Sequence, residues 1–172
     1  LNYFKYYFLR LSGIPFDEQA LEDDFARFAD FLLEAPRDHF LYRDFQSRNV
    51  MVRGGEPWFI DYQGGRKGAM QYDIASLTYD AKADLPFALR EELLKDYLDA
   101  AAERVRLDRA DFLARFPGFV LVRIMQAMGT YGLVSYAVSH STHEIGIRLA
   151  IGADRGELLR RFLTRGLRLG VV

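Results

Sequence analysis

Apolar positions recur along most of this chain with a helical period. Residues 2–11 are rich in aromatics and predict a short helix ending near Gly13 and Pro15. Leu21, Phe25, Phe28 and Leu32 fall on one helical face, with acids and Arg27 between them. They predict an amphipathic helix over 17–34, closed by Pro36. Segment 38–48 mixes polar and apolar residues without a period and reads as a loop. The pattern then changes. Asn49-Val-Met-Val-Arg53 and Pro57-Trp-Phe-Ile-Asp61-Tyr62 are β-rich runs flanking Gly54-Gly55, which predicts a β-hairpin. Gly64-Gly65-Arg-Lys-Gly68 follows as a flexible loop. Helical spacing returns at Tyr72, and Leu89, Leu93, Tyr97 and Ala101 share a face of a helix over 85–105. Asp108 suits the cap of a further helix, which Pro117 is expected to end. Residues 119–138 are apolar almost all round, and Arg123 and Gln126 mark them as a buried core helix rather than a membrane span. Trp58 and the clustered Phe and Tyr residues are expected in the core. The fold class expected is therefore α+β, mostly α, with one hairpin.

Composition changes this picture little. A net charge of -1 over 172 residues supplies no field that would recruit nucleic acid. The absence of cysteine excludes disulfides and thiolate metal sites and fits a reducing, cytoplasmic setting. Leu1-Asn-Tyr-Phe-Lys5 already reads as helix and lacks a signal-peptide pattern, so the chain is expected to begin within a longer protein.

The stretch that carries chemistry runs Tyr42-Arg43-Asp44-Phe45-Gln46-Ser47-Arg48-Asn49, then Phe59-Ile60-Asp61-Tyr62-Gln63-Gly64. Asn49 and Asp61 both lie six positions from Gly55. A hairpin turning at that glycine would set them opposite each other at its open end, about 5 Å apart between Cα atoms. An amide oxygen and a carboxylate so placed suit Mg²⁺, which takes few protein oxygens and completes its shell from phosphates and water. Asp44 sits five residues before Asn49 on the loop, where a carboxylate can orient a hydroxyl and accept its proton. Ordinary readings stand beside these: Asp44 as a loop cap, Asp61 as a turn residue, Arg43 and Arg48 as solvated or loop-bracing side chains.

Asp44-x-x-x-x-Asn49, followed by Ile60-Asp61-Tyr-Gln-Gly64, resembles the catalytic and metal loops of protein-kinase-like folds. The details are closest to the aminoglycoside phosphotransferase and choline kinase superfamily, in its branch of bacterial phosphotransferases that includes anomeric sugar kinases. Residues 40–82, with Tyr72-Asp73-Ile-Ala-Ser-Leu77, carry the likeness, and a looser one runs over 1–132. The resemblance implies a kinase-like C-terminal lobe over 1–130 whose hairpin carries the metal site. It implies ATP- and Mg²⁺-dependent phosphotransfer to a hydroxyl of a small polar molecule, a sugar or aminoglycoside-like alcohol. Asp44 would be the catalytic base, and Asn49 and Asp61 the magnesium ligands. Asp73 would brace the catalytic loop through backbone N–H groups, and Arg48 would approach the phosphate. Tyr42 stands where the superfamily usually has His, a scaffold position. Such kinases also place a β-rich nucleotide lobe before this region, and nothing before residue 40 resembles it. The chain alone is therefore expected to turn over weakly or not at all, which an ATP-hydrolysis assay would read.

Residues 131–172 fit that superfamily poorly. Glu144-Ile-Gly-Ile-Arg148, then Gly152-Ala and the basic run from Arg160, resemble the end of a membrane helix and the cytoplasmic segment after it in MacB/FtsX-type ABC transporter permeases. The join falls near Tyr131-Gly132, and contact with a membrane would rest on this tail alone. His140, His143 and Glu144 read as surface residues rather than a metal site. The competing reading of the whole chain is a non-catalytic fragment, or a permease-derived membrane segment, in which the kinase motifs are idle.

Overall fold

The structure, a computed structural model, describes the backbone of residues 1–62 and 64–150 and the side chains of 1–62 and 64–136. The permease-like features at 151–172, and the side chains of His140, His143 and Glu144, lie outside the described residues.

The first helix, α1, joins Asn2–Phe4, a π-helical stretch Lys5–Leu9 and Arg10–Ser12, and Gly13 closes it in a left-handed conformation with φ 69°. Helix α2 spans Glu18–Leu33, and its N-cap Asp17 accepts a hydrogen bond from the Ala20 N–H. Lys5 is buried and donates to Glu18 at 3.1 Å and to Glu22, which pins α1 to α2. Strand β1, His39–Leu41, comes next, and a 3₁₀ turn at Ser47–Asn49 leads into β2, Val50–Arg53. Strand β3 is Glu56–Phe59 and β4 is Arg66–Gly68. Helices α3 (Gln71–Thr78), α4 (Phe87–Ala102) and α5 (Arg109–Ala150) complete the order.

The architecture is α+β and mostly helical, with two small antiparallel sheets, β1–β4 and β2–β3. The core gathers Ala35, Ala69, Ile74, Ala75, Leu98, Phe112, Phe116, Phe119 and Val120. Among the described residues no helix is long and apolar enough to cross a membrane.

Five sequence expectations need correction. Segment 38–48 is not all loop, and the glycine-bearing stretch after it is not simply flexible, because β1 pairs with β4. The period failed to show this because each strand has only three residues. A Cβ on Gly68 would stand 2.3 Å from Leu41 Cδ1, so glycine there admits the close approach of β4 to β1.

The hairpin turns between its two glycines rather than at Gly55. Gly54 and Gly55 have φ 62° and 85°, the pair of positive angles a two-residue type I′ turn requires. The register pairs Val50 with Phe59 and Arg53 with Glu56, and the Ile60 N–H reaches the Asn49 carbonyl at 3.1 Å. Asn49 therefore stands opposite Ile60, and Asp61 lies one residue further on, past the end of β3.

Pro117 does not end a helix. Phe112, Phe116, Phe119 and Val120 are buried and share one face of α5 across the proline. A proline inside a helix costs about 3 kcal/mol, and burying that many large side chains outweighs it. Tyr131, where the two sequence resemblances meet, thus lies within one continuous helix. Two helical turns beyond the core residue Met125, α5 meets α1, and a Cβ on Gly132 would fall 1.6 Å from the Tyr7 carbonyl oxygen.

Trp58 is not in the core. It is 58% exposed, and Met51, Val52, Phe59 and Ile60 of the same ribbon are exposed as well. The ribbon stands clear of the helical body, joined to it through its open end.

Candidate active site

The open end of the hairpin meets the loop that follows β1, and main-chain hydrogen bonds set this junction. In the loop, the Asp44 carbonyl accepts from the Gln46 N–H at 2.8 Å and from Asn49 Nδ2 at 2.8 Å. The Gln46 carbonyl accepts from the Asn49 N–H at 2.9 Å. Asn49 is buried, while Asp44 is half-buried. With Nδ2 committed to Asp44, the other amide atom of Asn49, Oδ1, is turned away from that carbonyl and keeps its lone pairs.

Tyr42 joins loop and ribbon. Its ring packs edge-on to Phe45 and Phe59, with centroids 5.7 and 6.3 Å away, and its hydroxyl donates to the Ile60 carbonyl. Partial burial raises the Tyr42 pKa above the usual phenol value, and the charges of Asp61 and Asp44 raise it further. Both carboxylates therefore lie within electrostatic reach of one phenol. The main chain thus sets Asn49 beside the Asp44 carbonyl and Asp61 one residue beyond the position opposite Asn49, with Tyr42 tying loop to ribbon.

Two of these positions carry unusual backbone. Arg43 and Asp61 have φ 77° and 66°, in the left-handed region that residues other than glycine rarely enter. Asp tolerates it better than Arg does. Each costs of order 1–3 kcal/mol and persists only where neighbours hold it. Arg43 is held from two sides: its N–H donates to Asp73 Oδ1 at 2.8 Å, and its guanidinium reaches the Gly64 carbonyl at 3.3 Å. The other Asp73 oxygen accepts from the Tyr42 N–H at 2.5 Å.

Asp73 lies in the first turn of α3, and burial raises its pKa above the usual carboxylate value despite those two hydrogen bonds. The sequence reading missed a second acid, Asp80. Its Oδ2 accepts from the Ser47 N–H at 3.0 Å and the Ser47 hydroxyl at 2.6 Å, and its Oδ1 accepts from the Lys82 N–H at 3.0 Å. Burial pushes the Asp80 pKa up, but the hydrogen bonds from Ser47 and Lys82 win and hold it below the usual value. No motif spacing announces Asp80, since it follows α3 as an ordinary loop acid. Arg48 sits exposed in the 3₁₀ turn beside Asn49, and no acid pairs with it among the described residues.

The two acids should titrate in opposite senses. A carboxyl-¹³C titration is expected to show Asp73 ionising at higher pH than an exposed aspartate and Asp80 at lower pH. For Asp73 the folded state holds the proton more tightly than the unfolded chain. Its contribution to stability is greatest below the unfolded value near 3.8 and falls as pH rises through the folded value. For Asp80 the sign reverses: its contribution is present above 3.8 and is lost as pH falls through the folded value.

Among the described residues no three His, Cys, Asp or Glu side chains cluster as metal ligands. An Asn–Asp pair falls outside that pattern, and its donors are hard oxygens of the kind Mg²⁺ prefers.

No curated protein matches the chain. A family model described as a phosphotransferase enzyme family matches residues 4–112, which takes in Asp44, Asn49, Asp61, Asp73 and Asp80. With more than half of its length matched, the chain belongs to the phosphotransferase enzyme family.

Proposed function

We propose that this chain carries the catalytic and metal-binding centre of an ATP-dependent kinase acting on a hydroxyl of a small polar molecule, a sugar or aminoglycoside-like alcohol, in the cytoplasm. The observation that carries the reading is the junction itself. Asp44 lies half-buried in a loop whose carbonyl at that residue is taken by the Gln46 N–H and Asn49 Nδ2, beside Asn49 and the end of the ribbon that bears Asp61. Residues 1–130 form the kinase-like unit in this reading.

Asp44 receives the acceptor hydroxyl and takes its proton as the oxygen attacks the γ-phosphorus. The bond from that phosphorus to the bridging oxygen breaks, and the nucleoside diphosphate leaves with the electron pair. Asn49 Oδ1 and the Asp61 carboxylate would hold Mg²⁺, which when bound neutralises charge on the phosphates. Arg48, next to Asn49 and exposed, would meet a phosphate oxygen in this reading. Tyr42 and Asp73 keep the loop in register with the ribbon, so that Asp44 and Asp61 stay in fixed relation. Positioning of this kind supplies most of the catalysis in phosphoryl transfer.

Mn²⁺, a spectroscopic substitute for Mg²⁺, tests the metal half of the proposal. Paramagnetic resonance with the whole chain and ATP is expected to show bound Mn²⁺. Asp61→Asn should weaken that binding at least tenfold, whereas Asp44→Asn should leave it within about threefold. Asparagine suits the test because it tolerates the left-handed backbone at 61. Equal binding by Asp61→Asn and the parent would remove Asp61 from the metal site.

A further inference from the structure

Helix α3 holds the Asp44 loop at both ends. At its first turn, Asp73 takes the N–H groups of Tyr42 and Arg43 at 2.5 and 2.8 Å. Two residues past its last residue, Asp80 takes the N–H and hydroxyl of Ser47 at 3.0 and 2.6 Å. The helix between them is embedded in the core, with Ile74, Ala75, Ser76 and Thr78 buried. Its Ser76 and Thr78 hydroxyls donate back to the carbonyls of Tyr72 and Ile74, so the helix has no loose polar groups on that side. Only Asp44, Phe45 and Gln46 lie between the two anchored ends.

Ser47 also opens the 3₁₀ turn that ends at Asn49. Fixing its N–H therefore fixes the start of the turn from which Asn49 projects. Resting on the function proposed above, we propose that Asp80 is a positioning residue, acting through Ser47 to set the placement of Asn49 relative to Asp44. Asp73 holds the loop only at Tyr42 and Arg43, and the bonds further along it, among Asp44, Gln46 and Asn49, are internal to the loop. Asp80 ties the far end to the helix. It does so from the half-exposed side of the molecule, where Ser47 is exposed, so its loss should disturb the site far more than the fold.

The test uses the whole chain and the variants Asp80→Ala, Ser47→Ala and their combination. Mn²⁺ affinity in the presence of ATP is expected to fall about fivefold in Asp80→Ala and by less in Ser47→Ala. The double variant should bind no worse than Asp80→Ala, because the one bond Ser47→Ala removes is already broken when Asp80 is gone. Amide exchange at Asn49 should quicken at least tenfold in Asp80→Ala, and whatever turnover the chain supports should drop through kcat with KM for ATP little changed. Thermal midpoints should stay within about 3 °C. Should Asp80→Ala fold poorly, Asp80→Asn, which keeps the volume but cannot accept at both Ser47 and Lys82 with carboxylate oxygens, carries the same readouts. Unchanged Asn49 exchange and unchanged metal affinity in these variants, or effects that simply add in the double variant, would overturn the proposal. Failure of the kinase reading looks different: Mn²⁺ binding would then be indifferent to Asp61→Asn, and turnover indifferent to Asp44→Asn.

Discussion

Asp44→Asn is expected to lower phosphotransfer about 10²- to 10⁴-fold while leaving the fold and the metal site intact. The reason lies in how the loop is built. Every hydrogen bond that shapes the loop at this position goes to the Asp44 carbonyl: Gln46 N–H and Asn49 Nδ2 both donate to it. Asparagine keeps that carbonyl and nearly the same volume. It removes the side chain's negative charge and with it the capacity to accept a proton. Tyr42 should report the change independently, since the Asp44 charge helps to raise its pKa, and Asp44→Asn should let the phenol ionise at lower pH. ATP consumption against a panel of sugar and amino-sugar acceptors, with circular dichroism as the control, reads the outcome. Measured against a parent with turnover above the protein-free background, a variant within threefold of it would remove Asp44 from the chemistry.

Asp73→Ala is expected to cost about 2–4 kcal/mol of stability, the largest effect among the site residues. Two N–H groups, of Tyr42 and Arg43, lose their acceptor together. A buried donor left unpaired costs about 1–3 kcal/mol. Partial access to water at these half-buried residues reduces that figure, and removing a desolvated carboxylate returns some of it. The left-handed Arg43 then loses a contact that holds it, and the loop is free to relax. For a chain of this length the loss corresponds to a fall in thermal midpoint of about 4–16 °C. Asp73→Asn should fall between, because its one carbonyl oxygen can keep one of the two hydrogen bonds. Urea denaturation checks both variants, and a loss under 1 kcal/mol for Asp73→Ala would show that water replaces the carboxylate at no cost.

Much of the helical frame was legible along the chain. The helix expected over 17–34 forms as Glu18–Leu33, and that over 85–105 as Phe87–Ala102. Their apolar spacing is long and regular enough to declare itself. Asp108 caps α5 by accepting from the Ala110 and Asp111 N–H groups at 3.0 Å, as its position before an apolar run implies. The Gly54-Gly55 pair marked the turn, because two adjacent positive φ angles are tolerated by few other residues.

The departures share one cause. Local spacing cannot register what a distant segment offers. Pro117 reads as a helix end until the burial of Phe116 and Phe119 on either side is weighed against it. The three residues of β1 have no period of their own and become a strand only because β4 lies beside them. The one-residue difference in register depends on where within a glycine pair the chain reverses, which the ladder hydrogen bonds decide.

The same division holds in the site. Local sequence determined which residues are candidates for the chemistry, because the Asp-x-x-x-x-Asn spacing, the hairpin and the following Asp are contiguous features of the chain. Only the tertiary structure decided how they are held. Tyr42 sits 31 residues from Asp73, and Ser47 sits 33 residues from Asp80. Hydrogen bonds across such separations follow from where a buried helix lays its two ends against a loop, and no residue within that loop encodes the contact.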